Sequence, residues 1–186
     1  MIIGILRIGH VNLNVIEKVR GNLNLIFPET ECQLVPRILN LPLETLDKLR
    51  MQYRSDLILS LIQEYAGEEK ALTRVLGVVD VDIFVPGLNF VFGEAECPGK
   101  VALISLWRLR PEFYNAPQNF ELFVERSTKE AVHELGHTLG LKHCTNPFCV
   151  MYFSNSIFET DRKNLFCKGC YLKAQSFIAE LNRNSG

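Results

Sequence analysis

Residues 133–143 constrain this chain more than any other stretch. They read His133-Glu134-Leu135-Gly136-His137-Thr138-Leu139-Gly140-Leu141-Lys142-His143, the pattern H-E-x-x-H-x-x-G-x-x-H. On a helix, His133 and His137 stack on one face, where two imidazoles can grip one zinc. Gly140 lets the backbone turn, because glycine takes a positive φ without steric penalty. The turn brings His143 round as a third ligand. Three protein ligands leave one tetrahedral position open, as a catalytic zinc requires. Glu134 lies beside the metal without binding it, placed to take a proton from water there. The chain holds 4 histidines, and all but one fall within these eleven positions, which weighs against an ordinary amphipathic helix.

The rest of the composition narrows the setting. The chain has 186 residues, 47% apolar and 22% charged, enough for one globular domain with a sizeable core. A formal net charge of -1 supplies no basic field, so neither nucleic acid nor an anionic membrane surface is an expected partner. No stretch reaches the length of a membrane span. Met1–Ile8 is apolar but short, contains Arg7 and lacks a cleavage site. A cytoplasmic monomer is therefore expected, with its cysteines reduced or metal-bound.

Taken in order, Ile2–Ile8 suits a buried strand, and the apolar spacing over Val11–Ile26 predicts a helix. Cys32–Val35 is a short strand closed by Pro36. Gln52–Tyr65 suits a buried helix ended by Gly67. Arg74–Val85 alternates and reads as one central strand; its Asp80 and Asp82 share a face that is solvated or at a strand end rather than a second metal site. Gly87–Ala95 and Lys100–Arg108 form a hairpin turning at Glu96-Cys97-Pro98-Gly99, and Leu88-Asn89-Phe90-Val91-Phe92 is its exposed edge strand. Cys32 and Cys97 read as plain reduced thiols. Asn115-Ala116-Pro117 signals a helix over about 118–139, with a capping box from Ser127 to Glu130 as a competing start. Mixed strands and helices, then an irregular metal-rich end, predict a single α/β domain with a small C-terminal subdomain. The division falls near residue 140: residues 1–140 carry the sheet and active-site helix, and 141–186 the remainder.

Beyond His143 stand Cys144, Cys149, Cys167 and Cys170. Two closely spaced cysteine pairs form the pattern of a closed zinc site with four thiolates. Without a secretion signal, that reading outweighs two disulfides or free thiols. His143 and Cys144 are adjacent, and in an extended segment their side chains point to opposite sides, one toward each metal. The cysteine knot would then support the backbone that presents the third histidine.

The run from His133 through Cys144, Cys149, Met151, Cys167 and Cys170 resembles the archaemetzincins, a family of the metzincin clan of zinc peptidases. The likeness is specific over about the last third of the chain. It implies an α/β (α+β) metalloprotease: a compact domain with a twisted mixed sheet, a backing helix, an active-site helix and a small zinc-bound C-terminal part. By position, His133, His137 and His143 match the catalytic zinc ligands, Glu134 the base and Met151 the Met-turn beneath the metal. Cys144, Cys149, Cys167 and Cys170 match a second, structural zinc, making two Zn2+ per chain. The resemblance also implies an intracellular enzyme without a pro-segment. Tyr152, next to the Met-turn, is a candidate oxyanion stabiliser. The expected activity is hydrolysis of peptide bonds by zinc-activated water with Glu134 as general base. A peptide or protein substrate would lie along the Leu88–Phe92 edge. The rival readings are a zinc-stabilised peptide-binding module with little turnover and a zinc hydrolase of a non-peptide amide. The intact Glu134 argues against pure binding.

Overall fold

The structure is a computed structural model and describes residues 1–184. In chain order its elements are β1 (Ile2–Ile8), α1 (Leu13–Ile26), β2 (Glu31–Leu39), β3 (Leu46–Asp47), β4 (Gln52–Arg54), α2 (Ser55–Glu68), β5 (Arg74–Val79) and β6 (Ile83–Phe84). There follow β7 (Gly93–Ala95), β8 (Val101–Ser105), α3 (Phe120–Thr138), α4 (Ile157–Arg162) and α5 (Lys168–Asn184). The main sheet has the order β2-β1-β5-β8-β7. All its neighbours are parallel except β7, which runs antiparallel to β8 at one edge. A smaller sheet joins β3, β4 and β6.

Alternation along the strands sorts the core into two layers. Ile3, Ile5, Leu76, Val78, Ala102 and Ile104 pack with α1 and α3, while Leu6, Ile8, Val75, Val79, Val101 and Leu103 pack with α2. A sheet covered on both faces is what parallel strands require, and it explains their near-continuous apolar runs. Gly77 is the point where α2 comes closest: a Cβ there would stand 2.2 Å from Ile62 Cδ1.

Several boundaries differ from those read in the sequence. β2 continues through Pro36 to Leu39, with a register shift opposite the stretch between Ile5 and Arg7. It is an edge strand, where a missing N–H is tolerated. Arg74–Val85 is not one strand. It breaks at residues 80–82, and Ile83–Phe84 joins the smaller sheet. Asp80 and Asp82 are the cause: Arg110 takes the first, and Arg108 grips the second through Nε at 2.6 Å and Nη2 at 2.7 Å. Gln52–Arg54 is strand rather than helix, and α2 runs one residue past Gly67.

Leu88–Phe92 is not the edge strand either. Arg50 Nη2 donates to the carbonyls of Leu88 and Asn89 at 3.0 and 2.8 Å, and Gln52 Nε2 to that of Asn89 at 3.0 Å. These side chains use the acceptors that a strand would offer, and only Val91 bridges, to Ile83. The edge is the next segment, Gly93–Ala95.

Helix α3 is capped by Asn119, whose Oδ1 accepts from Leu122 N at 2.9 Å. The competing start at Ser127 is absent: Ser127 lies inside the helix and its Oγ donates to Phe123 O at 2.7 Å. Residues 126–136 are all buried, so α3 is a central helix rather than one with a single apolar stripe. Its polar side chains keep partners, including Asn22 Nδ2 on Thr128 Oγ1 at 3.0 Å. The end of the chain is less irregular than its sequence suggests. α5 buries Cys170, Ala174 and Ile178 at helical spacing against the same core. No helix among the described residues is long and apolar enough to cross a membrane.

Candidate metal centres and active site

The last turns of α3 carry His133 and His137, and the segment after it carries His143. Gly140, at φ 85°, makes the turn, its N–H donating to His137 O at 2.8 Å. Two backbone carbonyls then orient the rings. His133 Nδ1 donates to Val150 O at 2.7 Å, and His137 Nδ1 donates to Leu141 O at 2.7 Å. A carbonyl only accepts, so the proton of each ring is on Nδ1 and the Nε2 lone pair is free. Those lone pairs converge: His137 Nε2 is 3.1 Å from His133 Nε2 and 3.2 Å from His143 Nε2. Nitrogens bound to one tetrahedral zinc stand about 3.4 Å apart. Acceptor atoms facing one another at that spacing fit a shared cation and little else. Burial holds His133 well below the usual imidazole value, with the Lys163 charge adding to it, which favours the neutral, ligating form.

Met151 is fully buried and packs against Gly136 of α3. A Cβ on Gly136 would come 2.5 Å from Met151 Sδ. Its neighbour Val150 supplies the carbonyl that orients His133.

The four cysteine sulfurs form a second cluster, all within 4.8 Å of one another. Cys144 Sγ and Cys167 Sγ are 4.0 Å apart, close to the roughly 3.8 Å expected for thiolates around one zinc. Cys149 Sγ accepts from Cys167 N at 3.3 Å, and Cys144 Sγ from Asn146 N at 3.5 Å. The backbone N–H of Cys170 is the first cause that brings the Cys167 thiol down to about 7. Amide donors of this kind suit thiolates. All the cysteines are free thiols, none paired as disulfides. Cys144 N donates to Met151 O at 2.9 Å, so one short stretch serves both clusters.

A cavity of about 390 Å³ opens over the histidines. One wall is residues 88–95, and the other includes Phe153, whose ring lies 5.1 Å from that of His143. Tyr152 is not among the residues lining it; Phe153 stands there instead. Cys97, read as a plain thiol, also lines it, 3.6 Å from Leu141 O. Glu134 points into the cavity against Gly93. Burial, then the charge of Glu130, raises Glu134 well above the usual carboxylate value. Sequence reading missed Glu130 and Lys163, which also line the cavity. Glu130 could have been found, since it stands one helical turn before Glu134. Lys163 carries no local signal.

This architecture and this pair of clusters define a zinc metallopeptidase of the metzincin type. Residues 10–176 match peptidase family M54, and the chain belongs to that family, the archaemetzincins. It is 44% identical to the archaemetzincin of Methanocaldococcus jannaschii over 169 residues, covering 90% of this chain and 89% of the relative. The crystal structure of the Methanopyrus kandleri archaemetzincin superposes with a TM-score of 0.83 at 34% identity, covering 96% of each chain. That of Archaeoglobus fulgidus, complexed with malonate, gives 0.79 at 40% identity over 93% of this chain and 99% of the other.

Proposed function

We propose that the enzyme hydrolyses peptide bonds with Glu134 as general base, and that it holds two zinc ions. His133, His137 and His143 would hold the first, with one position open to water and substrate. Cys144, Cys149, Cys167 and Cys170 would hold the second in a closed site. Zinc in the histidine site supplies a Lewis acid that acidifies water and polarises the scissile carbonyl, and its charge favours the ionised form of Glu134.

The chain's own groups do the rest. Glu134 takes a proton from water on the open side of the histidines and delivers it to the leaving amine. The carbonyls of Val150 and Leu141 hold the imidazoles in the ligating tautomer. Gly93–Ala95 offers an unpaired strand edge beside the cavity, along which an extended peptide can add by main-chain hydrogen bonds. This moves the substrate edge from Leu88–Phe92 to the segment that follows it.

The observation carrying this reading is the placement of Glu134 in the cavity, next to His133, whose ring nitrogen belongs to the three-histidine cluster. Glu134→Gln keeps size and shape but cannot accept the proton. Cleavage of a broad peptide library should fall by a factor of about a hundred to ten thousand, with zinc content unchanged. Full activity with zinc retained would rule out Glu134 as the base.

A further inference from the structure

Lys163 lines the active-site cavity and is almost completely buried, at 3% exposure. It caps α4, its N–H donating to Thr160 O at 3.2 Å. α4 is in turn clamped to α3. Arg126, itself buried, reaches both carboxylate oxygens of Asp161 at 2.7 Å through Nε and Nη2, and Lys129 Nζ donates to the Asp161 carbonyl at 3.1 Å. The active-site helix thus fixes the point from which Lys163 reaches in.

The charged groups facing Lys163 are Glu130 and Glu134 of α3, then Glu159 of α4; the Cys149 thiol also faces it. Glu130 and Glu134 are buried one turn apart and line the same cavity. Two carboxyl groups so placed repel when ionised and require a cation nearby. Lys163 is a buried cation of this chain in that cavity. Gly93 closes the other side of Glu134, where a Cβ would lie 2.8 Å from Oε1. Glu134 therefore has a bare backbone on one side, with Glu130 one turn earlier on its helix and Lys163 in the same cavity lining. A lysine serving only to hold α4 would have no need to line the cavity, because Arg126 and Asp161 already supply that link.

We propose that Lys163 is a positioning residue for Glu134: with Glu130, it holds the Glu134 carboxylate toward the three histidines. The proposal rests on the reading of Glu134 as the base. Lys163 acts through the carboxylates and does not touch the reacting atoms.

The test uses zinc-loaded enzyme and a peptide that the parent cleaves. Lys163→Met keeps much of the volume and removes the charge. It should lower kcat by about ten- to a hundredfold, as misplacement of a catalytic group does. KM should stay within about a factor of two, because no substrate contact is lost. Zinc content should be unchanged. Lys163→Arg should recover most of the rate, and Lys163→Gln replaces the methionine variant if that one melts below the assay temperature. In a Glu130→Gln background, removing Lys163 should cost less than in the parent, because the two residues act on one carboxylate. An unchanged kcat, or equal losses in both backgrounds, would overturn the proposal. So would an arginine variant as slow as the methionine one with a parental melting point. If Glu134→Gln cleaves as fast as the parent, the base reading itself has failed, whatever Lys163 does.

Discussion

Gly93 and Glu134 touch where no side chain could stand between them. A Cβ on Gly93 would fall 2.6 Å from Glu134 Cγ, 2.8 Å from its Oε1 and 2.6 Å from Leu103 O. The edge strand and the active-site helix meet at this contact, so the glycine sets where the carboxylate lies.

Gly93→Ala should therefore displace Glu134. Its backbone needs no positive φ, so the damage comes from the contact rather than from the conformation. Activity should drop by about ten- to a hundredfold, with zinc content retained. Steady-state kinetics beside metal analysis decide it; a fully active alanine variant would mean that the carboxylate has room to spare.

Protein purified without added metal should carry two zinc ions. A chelator should strip the histidine site first, because it has one protein ligand fewer. Thiol titration reports the other site. In the loaded enzyme only the exposed Cys97 should react quickly. Cys32 should stay silent until unfolding, since burial pushes its thiol up to about 12. Cys167→Ser should lower the melting temperature and, through it, activity. A parental melting curve for that variant, or any fast thiol besides Cys97 in loaded protein, would contradict a cysteine-bound metal.

Gly136→Ala tests the seat of Met151. The added methyl meets the Met151 sulfur at 2.5 Å in a filled core. The change should cost about 1–3 kcal/mol, the usual penalty for overpacking. A thermal melt should shift down by about 2–4 °C per kcal/mol lost. A double variant with Met151→Ala, which makes room, should lose less than the two single losses added together.

The two side-chain clusters were legible in the sequence because their signal is local. The histidines are spaced by the helix repeat and one turn, and the cysteines by short loops, so spacing alone predicts which side chains meet. The sheet was legible at β1, whose apolar run belongs to a strand covered on both faces. Boundaries failed where a distant side chain took over backbone or charge: Arg50 on the carbonyls of Leu88 and Asn89, Arg108 and Arg110 on Asp82 and Asp80. Lys163 failed for the same reason. It sits about thirty positions from the carboxylates it faces, and nothing within its own neighbourhood marks it as buried. Likewise α5 hides its buried stripe of Cys170, Ala174 and Ile178 among exposed aromatics such as Tyr171 and Phe177.

The direct bond between His143 and Cys144 has a thermodynamic consequence. One peptide unit ends in a ring of the histidine cluster on one side and in a sulfur of the cysteine cluster on the other. If both clusters hold a cation, as proposed, ordering that unit costs conformational entropy once, and whichever cation binds first meets the cost. The second would then bind a chain already fixed, so each metal would raise the affinity for the other by the same factor. Oxidising the cysteines would work the same linkage in reverse, loosening the histidine site without any reagent reaching it.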